Sequence, residues 1–446
     1  MSSLDILFNP TSVVLVGAAH TEMKFGGVIL KNLLRFRGKV FPVNPKYREL
    51  MGLPAYASLK EISGPVDLAL VIRPASEVPE ILRELNGKVK CAIVMSSGFA
   101  EVGQNKLQDE IKEIGREIGI RILGPNCMGV FNPHARLDTF FLPYERLKRP
   151  RKGNVAILSQ SGAVLSCLMS VLREANIGAS KAVGYGNAMD IDVSDLYDYL
   201  AHDTYTDVVV SYIESVGDGR KFIESAKRLS EQKSLIALKA GKGETGQAAA
   251  YSHTGRLAGR YEVFHAVLKQ FGIREATDFD ELMDAAKALS YQRPSKGRRV
   301  CIITNGGGSG VLAADECMRQ ELAVADLPED KKERLGREFP NFFGINNPVD
   351  LTAQVTDKDY GITINALKDD YDGFLVIALP NVLGITERLG GIMKDLKESV
   401  KKPFVFHLAP SGISARLTAL LEKARIPVYP SPERAVRGLR TLLDQQ

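Results

Sequence analysis

Val155-Ala156-Ile157-Leu158-Ser159-Gln160-Ser161-Gly162 and Val300-Cys301-Ile302-Ile303-Thr304-Asn305-Gly306-Gly307 decide how this chain of 446 residues is read. Each is an apolar run, a turn of small polar residues and the start of an amphipathic helix. Apolar runs without alternation mark strands buried on both faces, and helices between them cover a parallel sheet. The pattern recurs. Runs at 13–16, 40–43, 68–72, 92–95 and 121–123 alternate with helical stretches at 28–37, 76–85 and 104–118. A second series holds runs at 155–158, 208–213 and 235–239, with helical stretches at 163–174 and 261–289. A third holds runs at 300–304, 374–379 and 404–407, a helix at 311–319 and a terminal helix from Pro432. The expected fold is α/β, with three doubly wound units at 1–145, 146–294 and 295–446. Linkers are expected at 143–153 and at Pro294-Ser295-Lys296-Gly297, and ligand sites at the carboxyl ends of the strands.

Composition narrows the function classes. A hydrophobic fraction of 45% and a charged fraction of 25% are those of a globular protein. The net charge of +5 is small and not gathered in a basic tail, so nothing favours nucleic acid. Lys148, Arg149, Arg151 and Lys152 beside Pro150 read as a solvated linker. Five cysteines without a CxxC spacing read as buried thiols of a reducing compartment. No signal pattern or membrane-spanning run is present, so a cytoplasmic protein with no membrane partner is expected.

The strand ends carry the chemistry. Val14-Leu15-Val16-Gly17-Ala18-Ala19 runs a strand into a glycine turn that is not GxGxxG. The second strand ends Val43-Asn44-Pro45-Lys46, with a lysine where an NAD-binding unit would place a carboxylate. A cation there suits a phosphorylated ribose, as in coenzyme A or NADP, and Lys24 and Arg73 add positive charge. Ser96-Ser97-Gly98-Phe99 and Gly124-Pro125-Asn126-Cys127 can present amides and small side chains to a long, bent ligand. Ser159-Gln160-Ser161-Gly162 opens a helix whose free amides and dipole suit phosphate, with the serines as caps, anion ligands or both. Asn305-Gly306-Gly307-Gly308-Ser309-Gly310 opens another, and three successive glycines are an unnecessary entropic cost for a plain turn. It lacks the Lys-Ser/Thr of a P-loop.

His253 sits in Tyr251-Ser252-His253-Thr254-Gly255-Arg256-Leu257-Ala258-Gly259, inside a glycine- and alanine-rich run. No Cys or carboxylate stands at ligand spacing around it, so no metal site is expected, and the imidazole suits a nucleophile or proton carrier. Glu214 ends the apolar run 208–213. It is either a solvated edge carboxylate or the group that fixes the tautomer of His253.

In this order these motifs resemble the NDP-forming acyl-CoA synthetases, specifically the α subunits of archaeal-type ADP-forming acetyl-CoA synthetases, with succinyl-CoA synthetase more distant. The resemblance implies a Rossmann-like CoA-binding domain followed by two flavodoxin-like ligase domains. It implies that Gly17, Ala18, Lys24, Asn44, Pro45, Lys46, Arg73, Ser96, Ser97, Gly98 and Asn126 serve coenzyme A. It implies that His253 carries a phosphoryl group, oriented by Glu214. Two helix starts would stabilise that group, one with Ser159, Ser161 and Gly162, the other with Gly308, Ser309 and Gly310. A separate ATP-grasp β subunit, in an α2β2 heterotetramer, would bind ADP/ATP and Mg. Two other classes stay open. Lys46 counts against a nicotinamide-dependent oxidoreductase, and the His253–Glu214–two-helix set counts against a CoA-sensing scaffold.

Overall fold

Five apolar runs ahead of residue 124 form β1 (Ser12–Val16), β2 (Lys39–Val43), β3 (Val66–Val71), β4 (Val89–Val94) and β5 (Arg121–Leu123). They build a parallel sheet of order β2-β1-β3-β4-β5. The computed structural model describes residues 4–248 and 259–444. His253, with Ser252, Thr254 and Gly255, lies outside the described residues.

A second sheet follows in the same compact unit, residues 1–282. Its strands are β6 (Gly129–Asn132), β7 (Leu137–Asp138), β8 (Lys152–Ser159), β9 (Ala179–Gly184), β10 (Val208–Ile213), β11 (Ser234–Lys239) and β12 (Arg274–Ala276), in the order β12-β11-β10-β8-β9-β6-β7. β8 through β12 are parallel, while β6 pairs antiparallel with β9 and with β7. One apolar core joins the two sheets, from Leu15, Leu70 and Ile93 to Leu158, Val183 and Val209.

The other unit, residues 283–446, holds β13 (Val300–Thr304), β14 (Gly344–Ile345), β15 (Val349–Asp350), β16 (Gly373–Ala378), β17 (Phe404–Leu408) and β18 (Val428–Tyr429). Their order is β14-β15-β13-β16-β17-β18, parallel except for β14 against β15. In each of the three sheets the first long strand has its sequence successors on one side and a later strand on the other. That reversal leaves a crevice at the carboxyl ends of β1/β3, β8/β10 and β13/β16, where open α/β sheets bind ligands.

Three helices start at those crevices: α1 (Phe25–Leu33), α2 (Gly162–Glu174) and α3 (Gly307–Arg319). α1 begins before the expected residue 28, because Phe25-Gly26-Gly27 packs onto the turn after β1 (below). The stretch read as one helix over 261–289 is two, Tyr261–Gln270 and Phe279–Tyr291, with β12 between them. An amphipathic period cannot register a three-residue strand lying between two helices of the same polarity. The expected linker at 143–153 is also corrected. Lys152 opens β8, and Arg149 is 4% exposed and donates from Nε to Asp138 at 2.9 Å. Four cysteines are buried as expected; Cys167 is exposed.

Candidate functional site

The turn after β1 is shaped by two glycines. Gly17 has φ +98°, and a Cβ there would lie 2.2 Å from the Ile72 carbonyl oxygen. A Cβ on Gly26 would lie 2.0 Å from the carbonyl oxygen of Gly17, so α1 rests directly on the turn. Asn44 donates to the Ala18 carbonyl at 2.7 Å and accepts from the Lys46 amide at 2.9 Å. Asn44 thereby ties the ends of β1 and β2 together, which leaves its side chain committed to the backbone. Pro45, Lys46 and Lys24 are exposed, while Ala18 is buried.

The next strand ends converge on a cavity of about 480 Å³. Arg73, Ser96, Ser97 and Asn126 line it from the first sheet, and Ser161 and Gly162 line it from the second. Phe25, Ile29 and Phe141 supply an apolar wall, with the two phenyl rings 4.8 Å apart. Gly17, Ala18, Lys24, Asn44, Pro45, Lys46 and Gly98 are not among its lining residues. Arg73 is anchored by Glu77 at 2.7 Å, and its carbonyl accepts from the Ser96 hydroxyl at 2.5 Å. The Gly98 amide is already bound, donating 2.6 Å to the carboxylate of Glu101.

Asn187, 1% exposed, carries the junction between the two sheets. Its amide donates to Glu101 at 2.6 Å and Gln108 at 2.9 Å, and its oxygen accepts from Asn126 at 3.3 Å. Burial alone would raise the Glu101 carboxyl; bonds from Asn187, Gly98 and Phe99 outweigh it and hold the group below the usual carboxylate range. Periodicity could not assign this side chain its partners, which lie 61 to 86 residues away.

At the start of α2, Ser161 caps the helix by accepting from the Val164 amide at 3.4 Å. Ser159 is fully buried and donates to the Ser161 carbonyl at 2.7 Å, so its hydroxyl faces inward. Gly162 and Ala163 line the cavity, and as the first residues of the helix their amides have no intrahelical partners. Gln160 reaches sideways. Its oxygen accepts from the Glu214 and Ser215 amides at 2.7 and 2.9 Å, and its amide donates to the Ser215 hydroxyl at 3.0 Å. Gln160 therefore sets the chain beyond β10 and with it Glu214, which is 5% exposed rather than a solvated edge group.

The third sheet repeats this device within its own unit. Thr304 donates to the Gly306 carbonyl at 3.0 Å, as Ser159 does to that of Ser161. Asn305 bonds both backbone groups of Leu379 beyond β16, at 2.8 and 3.2 Å, as Gln160 clasps the chain beyond β10. The Ser309 and Gly310 amides turn back to the Gly306 carbonyl, leaving Gly307 and Gly308 as the open donors of α3.

Lys239 ends β11, level with Ile213 of β10, and is 3% exposed. Its ammonium donates to the Glu214 carbonyl at 2.7 Å and to that of Ala240. Burial pushes its pKa down to about 8; the like charge of Lys242 adds to this, and Glu214 opposes it. Since the unfolded lysine titrates at 10.5, folding expels its proton between about pH 8 and 10.5. Over that window the wild type should gain on the order of 2–3 kcal/mol relative to Lys239→Met. Parallel urea titrations of the two proteins check this; a constant difference would remove the shift.

Family profiles match this architecture in order: a CoA binding domain over residues 11–133, a succinyl-CoA ligase like flavodoxin domain over 152–289 and a ligase-CoA domain over 300–436. The chain is 39% identical to the acetate–CoA ligase [ADP-forming] II subunit alpha of Pyrococcus furiosus, across 99% of this chain and 98% of that one. It belongs to the family of ADP-forming acetate–CoA ligase alpha subunits. The acetate–CoA ligase [ADP-forming] of Methanocaldococcus jannaschii is also 39% identical, and this chain spans 63% of its length. Among solved structures, the dinucleotide forming acetyl-coenzyme A synthetase 1 of Ca. Korarchaeum cryptofilum in complex with phosphate and ADP matches with a TM-score of 0.92. It is 35% identical, over 99% of this chain and 96% of that one. The expected Rossmann-like and ligase-type α/β architecture is thus that of the family. Among the described residues no cluster of metal ligands is found, and no helix is long and apolar enough to cross a membrane.

Proposed function

We propose that this chain is the α subunit of an ADP-forming acyl-CoA ligase, running acyl-CoA + ADP + phosphate ⇌ carboxylic acid + ATP + CoA. Arg73, Ser96, Ser97 and Asn126 receive the CoA thioester in the cavity, beside the open amides of α2. A phosphate oxygen attacks the acyl carbonyl, the C–S bond breaks and CoA leaves as the thiol. A nitrogen of His253 then attacks phosphorus in the acyl phosphate, and the carboxylate departs. Glu214 takes the imidazole proton's hydrogen bond and balances the charge that develops on the ring. In this reading the start of α2 with Ser159, Ser161 and Gly162 offers the Gly162 amide to phosphoryl oxygens, and the start of α3 with Gly308, Ser309 and Gly310 offers the open Gly308 amide in its own unit. A separate β subunit with an ATP-grasp domain, in an α2β2 assembly, binds ADP and Mg and takes the phosphoryl group from His253. The domains are those read at 1–145, 146–294 and 295–446.

The observation that carries this reading is the buried Glu214, held by Gln160 at the switch point beside a cavity lined from both sheets. Glu214→Gln keeps the shape and loses the charge. It should slow phosphorylation of the chain by acyl-CoA and phosphate on the order of a hundredfold while CoA affinity stays within about twofold. Quench-flow labelling with radioactive phosphate and CoA titration measure the two. An equal loss of both would make Glu214 a folding residue.

A further inference from the structure

A second cavity, of about 720 Å³, opens at the other end of the sheets in the same unit. Arg35 and Arg37 follow α1, Arg173 sits in the last turn of α2, and Lys152 is the first residue of β8. These are the amino ends of the strands, opposite the crevices described above. Arg136, Arg149 and Arg151 complete a lining of seven cationic side chains against one carboxylate, Asp138. Asp138 is spent on Arg149, which forms the buried floor at 2.9 Å and also donates to the Leu142 carbonyl at 2.9 Å. None of the other six makes an ion pair among the described residues. The lining's excess of six positive charges compares with a net charge of +5 for the whole chain.

Helix ends do not account for it. A cation in the last turn of α2 offsets the negative helix end, which explains Arg173. Arg136 lies in the turn between β6 and β7 with φ +55°, and Arg151 and Lys152 lie at a strand start, where no dipole calls for them. Arg35 is held over the Tyr144 ring at 4.4 Å, and Arg151 donates to the Asn176 carbonyl at 3.0 Å, so both guanidinium groups are oriented rather than loose. Six of the seven cations are arginines, whose planar fork matches phosphate oxygens, and the volume is that of a small-molecule site.

We propose that this basic cavity is a binding site for a small polyphosphate-bearing anion, separate from the CoA cavity. The shared chemistry is a chain of phosphates, borne by a nucleotide or free. The proposal does not depend on the reaction assigned above.

Calorimetric titration of the full chain with inorganic tripolyphosphate, and separately with ATP in the absence of Mg, tests it. One site per chain is expected, unaffected by saturating CoA. Binding should weaken by roughly tenfold or more in the double variant Arg35→Gln, Arg173→Gln, with CoA affinity retained as the check on folding. Equal affinity for the two anions identifies the phosphate chain alone as the ligand group, and tighter ATP binding adds the nucleoside. Four results overturn the proposal: neither anion binds, the double variant binds like wild type, CoA displaces the anion, or the surface ignores both anions and takes polyglutamate or single-stranded RNA.

Discussion

Replacement of His253 by Asn is expected to reduce phosphorylation of the chain by acyl-CoA and phosphate to background, a fall of roughly a thousandfold or more. The amide nitrogen of asparagine shares its lone pair with the carbonyl and cannot attack phosphorus, whereas a neutral imidazole has an in-plane lone pair. The substitution keeps a polar side chain of similar size. CoA affinity should be unchanged, because the residues assigned to CoA do not include His253. Phosphohistidine is labile to acid and stable to alkali, so the label is diagnostic. Acid-labile label persisting on the same peptide of the variant would assign the nucleophile to another residue.

Gly26→Ala is expected to cost about 3 kcal/mol or more of stability and to weaken CoA binding at least roughly tenfold. The added methyl would meet the Gly17 carbonyl oxygen at 2.0 Å. That oxygen cannot swing away like a side chain. It belongs to a turn at φ +98° that is itself seated against Ile72, so α1 must lift from the sheet. The movement displaces Phe25 and Ile29, which wall the cavity. Gly162→Ala is the matched control for stability. A Cβ there meets only the Met128 side chain, its end at 3.5 Å and its Cβ at 3.9 Å, both ordinary contacts, and the change should stay within about 1 kcal/mol. Thermal melts of both variants and CoA titration of Gly26→Ala measure the effects. Equal melting losses would refute the backbone-contact argument.

Much of the candidate site was legible because local chemistry repeats. The apolar runs ending in Ser159-Gln160-Ser161 and Thr304-Asn305-Gly306 are visible in one dimension, and both do end at a switch point with a helix start. What these polar residues do was not legible. Ser159 and Thr304 bind the backbone two residues on, and Gln160 and Asn305 clasp a neighbouring strand end. The echo is therefore in part a way of building a switch point. Strand-end glycines and asparagines were read as ligand groups on the same evidence. Asn44 and Gly98 also bond Ala18 and Glu101, because the exposed backbone of a turn competes for the same donors and acceptors.

The amino-acid sequence by itself determined the α/β class, which follows from short-range periodicity, and the family, which its ordered motifs resemble. Only the tertiary structure decided which strand ends meet. Asn187 joins Glu101 and Asn126 across the two sheets, Glu214 is buried beneath Gln160, and a basic stretch read as a linker becomes the floor and rim of a cavity with Arg35, Arg37, Arg136 and Arg173. The physical reason is that burial and partner choice depend on contacts between residues far apart in the chain, and neither a residue's type nor its neighbours in sequence carry that information.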